Sequence, residues 1–449
     1  MMEKRGGRMP LAGQVAAAAL VRVALWAATL ACTGTRVIAS GDTASYLEPG
    51  RNLLFHGQFQ TAGLPEIGRT PGYPLFLAAT SGGGLALASL IQVAVSVLCV
   101  YLVWRLGKAV FASERIALCA AWLFAFEPVS VVYSVRLLSE TLFLAVFLLS
   151  MERLAVFLRG HDLRPLAAGG VLLAGAIFVR PAAYYLPFLL AIGLAAVCRR
   201  DAALRSKAPL VLLLATLPWL GAWQLRNFVE TGFGGFSSVA VRNLYFYNAA
   251  EVAARDQQRS FEQVQQEFGY SDEATYLAIH PDQKEWNAAE RLAWMRVEAE
   301  RILRAHPAQA LRTQAIGSAV VAFTPCAADL MRMLGAESVE QPARVVHTGA
   351  LRAAAAVALA SPWRALPMAL FEAWLLTLYL FALRGTVRGG APRAALALLL
   401  ASAAYFLVVS GGVQAVGRYR LPLMPIVCLL AAAGMARRNG IHSGRVTRP

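Results

Sequence analysis

The sequence predicts an all-α integral membrane protein, and three observations carry that prediction. Of 449 residues, 58% are hydrophobic and only 15% charged, where a soluble domain of this size carries about 25% charged residues. Mean hydropathy is +0.53, and the apolar residues fall in long blocks. Roughly 20 such residues span a bilayer as a helix, the form that satisfies every backbone polar group internally. The net charge of +16 sits mostly in short loops between the blocks, a pattern that membrane topology explains and nucleic-acid binding does not.

Met1 to Pro10 is basic and leads into Leu11–Ala31, an apolar run too long for a signal sequence and lacking an evident cleavage site, so it reads as a retained first helix. The next blocks are Leu85–Trp104, Ile116–Phe126, Leu137–Leu158, Leu166–Val179, Ala182–Val197 and Leu210–Trp223. Leu366–Leu383, Ala394–Ser410 and Leu421–Met435 follow, with Ala315–Leu330 and Ala350–Ala360 as weaker candidates. This predicts about ten to twelve spans. It divides the chain into an N-terminal membrane module (1–225) with a first external loop (33–84), an external helical segment (226–314) and a C-terminal membrane module (315–449).

Alternate loops hold the basic residues, among them Arg105, Lys108, Arg115, Arg153, Arg159, Arg164, Arg199, Arg200, Arg384, Arg388 and Arg393. The termini carry more, from Lys4 to Arg8 and from Arg437 to Arg448. The positive-inside rule then puts both termini in the cytoplasm. In the first external loop, Thr43 to His56 can form a helix offering Tyr46, Leu47, Leu53, Leu54 and Phe55 to the membrane interface. Ala249 to Arg304 reads as helical, punctuated by Pro281 and Pro307. The six cysteines lie in or beside apolar blocks with no CxxC pair, and no HExxH is present. They read as buried hydrophobes and not as a disulfide or zinc framework.

Charges on the side opposite the basic loops are the informative exceptions. Arg69, Arg136, Arg180, Arg226, Arg418 and Arg420 map there, with Asp42, Glu127 and Glu140. Charge at this depth usually pairs or binds something. Guanidiniums at a water–lipid boundary suit a lipid phosphate, which the planar fork of donors engages well; each one taken singly also reads as an arginine reaching to the interface. On residue physics alone, Asp42 reads first as the N-cap of the helix that follows, and Glu140 as a favourable charge at a helix N-terminus. Arg69-Thr70-Pro71-Gly72-Tyr73-Pro74 reads as a rigid turn, and Tyr419 as an interfacial aromatic.

In their order, these strings resemble a known family. The acid after the first span is followed by Gly57-Gln58-Phe59, by Arg69 to Ala78, by Leu138-Ser139-Glu140-Thr141-Leu142-Phe143, by Arg180-Pro181, by Pro218-Trp219 with Arg226-Asn227, and by Arg418-Tyr419-Arg420-Leu421-Pro422. The chain is similar, from Asp42 to about Met435, to the bacterial branch of the dolichyl-phosphate-mannose protein mannosyltransferase-like family, within the GT-C superfamily of membrane glycosyltransferases. The resemblance implies a GT-C-type helical bundle with amphipathic helices in the first periplasmic loop and a helical periplasmic portion. It implies a polyprenyl-phosphate sugar as donor, a glycan, lipid or protein as acceptor, a bacterial inner-membrane location and a catalytic role for Asp42. Many relatives carry a second acid next to the first; Thr43 stands there here. No cofactor is assigned, and ligand spacing does not support a divalent metal.

The chemistry that fits is inverting displacement at the anomeric carbon, with Asp42 as base. Shielding by lipid and protein would raise its pKa. Arg69, Arg418 and Arg420, with Tyr419, would hold the leaving phosphate. Glu127, Arg136, Glu140, Arg180 and Tyr73 would support them or meet the acceptor. The rival reading is a transporter or flippase for a lipid-linked sugar; that class places its polar residues near the bilayer midplane, often in repeated halves.

Overall fold

The computed structural model describes residues 11–336 and 362–436. The basic N-terminal stretch, the weak block at Ala350–Ala360 and the C-terminal arginines lie outside the described residues. Apart from one antiparallel ribbon, β1 (Gln60–Thr61) with β2 (Leu64–Pro65), the described chain is helices and connections. The helices are α1 (Leu11–Thr33), α2 (Gly41–His56), α3 (Gly72–Thr80), α4 (Leu85–Phe111), α5 (Glu114–Ala125), α6 (Pro128–Val135), α7 (Glu140–Gly160), α8 (Leu163–Val179), α9 (Leu186–Val197) and α10 (Ala202–Thr231). Then come α11 (Val239–Asn243), α12 (Ala250–Asp256), α13 (Phe261–Glu267), α14 (Glu273–Ile279), α15 (Ala288–Ala305), α16 (Pro307–Phe323), α17 (Ala327–Met333), α18 (Pro362–Arg388), α19 (Arg393–Val409) and α20 (Met424–Met435).

Among the described residues, six helices are long and apolar enough to cross a membrane, and two pairs bent by 53° and 58°, α5–α6 and α16–α17, qualify as broken spans. Three shorter apolar segments, Leu163–Val179, Pro181–Val197 and Arg393–Val409, complete the bundle. Helix α7 sits at the centre, with Phe143 and Phe147 packed edge-on against Phe406 of α19. The outer helices turn large apolar side chains outward, such as Leu214, Trp219 and Phe228 on α10 and Leu370, Leu380 and Leu383 on α18. An apolar belt of this extent belongs against lipid.

A break in a membrane helix frees backbone carbonyls that no water reaches, and buried arginines answer both breaks. At α5–α6, Glu127 caps α6, accepting from the backbone N–H of Val129 (3.2 Å) and Ser130 (2.6 Å). Arg22 of α1, fully buried, donates to the Ala125 carbonyl at 2.7 Å, Ser130 Oγ at 2.9 Å and Ser96 Oγ at 2.9 Å. At α16–α17, Arg420 donates to the Thr324 carbonyl at 2.7 Å, and Tyr379 donates to the Ala322 carbonyl at 2.8 Å.

Close backbone contact positions the first external loop. A Cβ on Gly50 of α2 would lie 2.1 Å from the Pro74 carbonyl oxygen of α3, and one on Gly72 would lie 2.8 Å from the backbone of Phe178. Helix α2 therefore lies on α3 and turns Tyr46 inward, where it is buried against Tyr73. Of the five side chains expected at the interface, Leu54 and Phe55 are exposed, whereas Tyr46 belongs to the interior.

Residues 239–305 are helical in short pieces around a small core of Tyr245, Phe246, Tyr276, Leu292 and Met295. Helix α10 runs through the expected boundary at 225–226 to Thr231, and α16 runs through 314–315. Helical hydrogen bonding continues after apolar composition ends, so composition marks the lipid boundary and not the helix end.

Candidate functional site

A cavity of about 1370 Å³ opens at the end of the bundle where α2, the 69–71 turn, α7, the α8–α9 connection and the 3₁₀ segment Gly417–Leu423 meet. Asp42, Arg69, Arg136, Glu140, Arg180, Arg418 and Tyr419 all line it. They come from segments hundreds of residues apart.

The geometry begins with α2. Ser40 takes the cap position, its backbone N–H donating to Thr43 Oγ1 at 2.8 Å. Asp42 is therefore the second residue of the helix, in its first turn, and is not its N-cap. Its side chain reaches Arg69, whose Nη2 donates to Oδ1 at 2.8 Å, and its Oδ2 lies 3.6 Å from Arg418. Arg69 is held on every side: it donates to Ser45 Oγ at 3.1 Å and to the Tyr46 hydroxyl at 3.2 Å, and stacks 4.5 Å from the Tyr46 ring centre. Gly68 and Arg69 backbone N–H groups donate to Glu66 Oε1 and fix the turn.

A second carboxylate completes the cluster. Glu140, almost fully buried, meets Arg180 at 2.9 Å and Arg418 at 3.5 Å through Oε1. Its Oε2 is buried with no hydrogen-bond partner among the described residues. Arg180 also donates to Ser139 Oγ at 3.2 Å. The Tyr419 ring lies beneath both guanidiniums, 5.0 Å from Arg180 and 5.1 Å from Arg418, and so fixes the spacing of two like charges. Within this cluster, three guanidiniums against two carboxylates leave one net positive charge.

Burial pushes the Asp42 carboxyl up, but the Arg69 and Arg418 guanidiniums outweigh it and hold the group below its ordinary value of 3.8. This reverses the expected rise: Asp42 is a fixed carboxylate at neutral pH. Burial pulls Arg69 down, and its Tyr46 and Asp42 neighbours more than restore it.

Three residues expected at the site are placed elsewhere. Arg420 is buried against the α16–α17 break, Glu127 caps α6, and Tyr73 is fully buried, donating to Gln92 Oε1 at 2.8 Å. In a 3₁₀ segment with three residues per turn, positions two apart do not share a face, which divides Arg418 from Arg420. Arg226 likewise ties the first loop down, donating to the carbonyls of Glu66 and Phe59 at 2.8 Å each.

The cavity also reveals what sequence reasoning left out. Asp329 and Arg332 of α17 line it with Arg136 and Tyr133, across 193 residues of chain that no local pattern links. Farther out, Asn243, Tyr247, Tyr270 and Arg291 line the part of the cavity formed by the 239–305 helices. Among the described residues, no group of three or more His, Cys, Asp or Glu side chains comes together to hold a metal ion.

No protein-family model matches the chain, and no curated protein sequence matches it. Solved structures do. The oligosaccharyltransferase AglB from Archaeoglobus fulgidus, in complex with an inhibitory peptide and a dolichol-phosphate, superposes with a TM-score of 0.52 at 14% identity over 94% of this chain and 50% of that one. An Archaeoglobus fulgidus oligosaccharyltransferase in the apo form gives 0.51 at 13% identity over 96% and 51%. A weaker likeness, TM-score 0.39 at 16% identity, is to ArnT from Cupriavidus metallidurans bound to undecaprenyl phosphate, over 94% of this chain and 77% of that one. The chain spans about half the length of AglB. The described helices share the membrane fold of that oligosaccharyltransferase.

Proposed function

We propose that the chain is a membrane glycosyltransferase that moves a sugar from a polyprenyl-phosphate donor to an acceptor hydroxyl by inverting displacement. The observation that carries this reading is the meeting of Asp42 with Arg69 and Arg418 in one large cavity at the end of an apolar bundle.

The chemistry follows from charge. An acceptor oxygen forms a bond to the anomeric carbon as the carbon–oxygen bond to phosphate breaks. Asp42 takes the hydroxyl proton, within reach as a partly exposed carboxylate. It is a weaker base than an isolated carboxylate, yet it is ionised throughout the physiological range. The departing phosphate is weakly basic and needs no general acid; it needs its growing negative charge held. Arg69, Arg180 and Arg418 supply that, preorganised by Tyr46, Ser139 and Tyr419. The single net positive charge matches the single negative charge of a phosphodiester donor. Glu140 is the buried counter-charge, pairing with Arg180 and Arg418 and keeping the two guanidiniums in place.

Basic loops gather at the far end of the spans. Helix α7 alone covers about 31 Å between Glu140 and Gly160 at 1.5 Å per residue. The positive-inside rule then faces the cavity toward the periplasm, with both termini cytoplasmic. The donor lipid tail would leave the cavity between helices, and the acceptor would enter from the 239–305 side. Against a flippase stands the position of the charges at one end, since the buried Arg22 near the middle of the bundle is saturated by backbone and serine oxygens. The test is purified protein supplied with polyprenyl-phosphate sugar. Release of polyprenyl phosphate supports transfer; donor moved across a vesicle bilayer without cleavage supports the flippase.

A further inference from the structure

The charged groups of the cavity form two poles, and the proposed reaction uses only one. The second is Arg136, Asp329 and Arg332. Arg136 Nη1 lies 3.3 Å from Asp329 Oδ1, and Arg332 Nη2 lies 3.4 Å from the same oxygen. The Tyr133 hydroxyl donates to the other oxygen, Oδ2, and its ring lies 5.6 Å from the Arg136 guanidinium. One carboxylate thus serves two guanidiniums and a phenol, and both ion pairs are long for charge-assisted bonds. The Nε atoms of Arg136 and Arg332 are buried with no partner among the described residues. Both side chains nevertheless line the cavity and remain partly exposed, so a hydrogen-bond acceptor entering it can reach the guanidiniums.

This pole carries one net positive charge and faces the same cavity as Asp42. Arg136 and Glu140 are four residues apart, so their Cα atoms lie within about 14 Å of each other, the reach of an extended chain of that length. An acceptor with an anionic group at one end of such a span and a hydroxyl at the other would reach both poles.

We propose that Arg136 and Arg332 form a second anion subsite, which holds a phosphate or carboxylate borne by the acceptor. The anion site stands on its own geometry; naming its occupant the acceptor rests on the glycosyltransferase reading. The enzyme so described takes an acidic acceptor and presents its hydroxyl to the first pole.

The test uses the full chain in lipid nanodiscs, first saturated with undecaprenyl phosphate and then titrated with inorganic phosphate. The subsite predicts that phosphate still binds, and that Arg332→Gln weakens it by about tenfold or more, the scale of losing a charged hydrogen-bond donor. Asp329→Asn provides the converse variant: removing the competing carboxylate tightens phosphate binding by about threefold or more, a gain in Coulomb energy at short range. A cluster with a structural role alone gives no gain in that variant. One-for-one competition between phosphate and undecaprenyl phosphate would overturn the proposal, by making the second pole the carrier's own site. Unchanged phosphate affinity in both variants would overturn it as well. If wild-type protein fails to cleave donor yet shows both shifts, the glycosyltransferase reading falls while the anion subsite stands.

Discussion

Replacing Arg69 by Gln removes one guanidinium and, with it, three contacts: to Asp42 Oδ1 at 2.8 Å, Ser45 Oγ at 3.1 Å and the Tyr46 hydroxyl at 3.2 Å. Two consequences differ in kind. The charge of the Asp42–Glu140 cluster falls from one net positive to neutral, so the leaving phosphate loses a preorganised donor; kcat should fall by about 10²–10³. Asp42 also loses the largest of the guanidinium effects that depress it. Removing a positive neighbour raises a carboxylate pKa. Wild-type activity therefore holds down to acidic pH and falls only below the ordinary carboxylate value, whereas the acid limb of Arg69→Gln lies at higher pH. Stability changes little by comparison, since both partners are partly exposed and solvent screens the pair. The assay is polyprenyl phosphate release in nanodiscs across pH, with Arg69→Lys alongside. Lys keeps the charge but loses the fork, so it should restore the acid limb more than the rate. A rate within about threefold of wild type, or an acid limb that does not move, refutes Arg69 as both phosphate ligand and partner of the base.

Other outcomes follow from the packing. Glu140→Gln leaves Arg180 and Arg418 facing each other with their buried counter-charge gone; thermal unfolding in detergent should show a loss of about 3–5 kcal/mol. Arg420→Gln strips the Thr324 carbonyl of its donor and should cost about 1–3 kcal/mol of stability. Affinity for undecaprenyl phosphate should stay at the wild-type value in that variant, because Arg420 faces away from the cavity; a tenfold loss in a folded protein would return Arg420 to the phosphate site. Gly50→Ala drives a methyl into the Pro74 carbonyl, and a melting temperature equal to wild type would contradict the α2–α3 contact, since overpacking costs about 1–3 kcal/mol.

The bundle was legible because lipid imposes one rule, apolar length, and the apolar blocks within the described residues fall on helices, with Ala315–Leu330 split by the α16–α17 break. What that rule does not see is where a helix leaves the lipid. The last turns of α10, with Arg226, Asn227, Glu230 and Thr231, are polar and still helical. Asp42 was ambiguous for a local reason: Ser40 and Asp42 are both good capping residues two positions apart, and the choice of Ser40 depends on its backbone bond to Thr43. The rise expected for its pKa counted burial and left out two guanidiniums that converge from positions 69 and 418. Arg22 carried a readable signal, a lone charge inside an apolar run, but four of its partners are carbonyls or hydroxyls on other helices. The pairing of Arg136 with Asp329 had no local signal at all.

The most direct measurement is donor cleavage by Asp42→Asn. Asparagine keeps the shape of the side chain and its reach to Arg69 while losing the capacity to take a proton. Purified wild-type protein, given a polyprenyl-phosphate sugar and an acceptor, should release polyprenyl phosphate. The Asn variant should bind donor with near wild-type affinity and turn it over more slowly by about 10²–10⁴, the range for losing a general base. Turnover at the wild-type rate in Asp42→Asn would contradict the account at its centre, since the cavity's guanidiniums would then be serving a carboxylate other than Asp42.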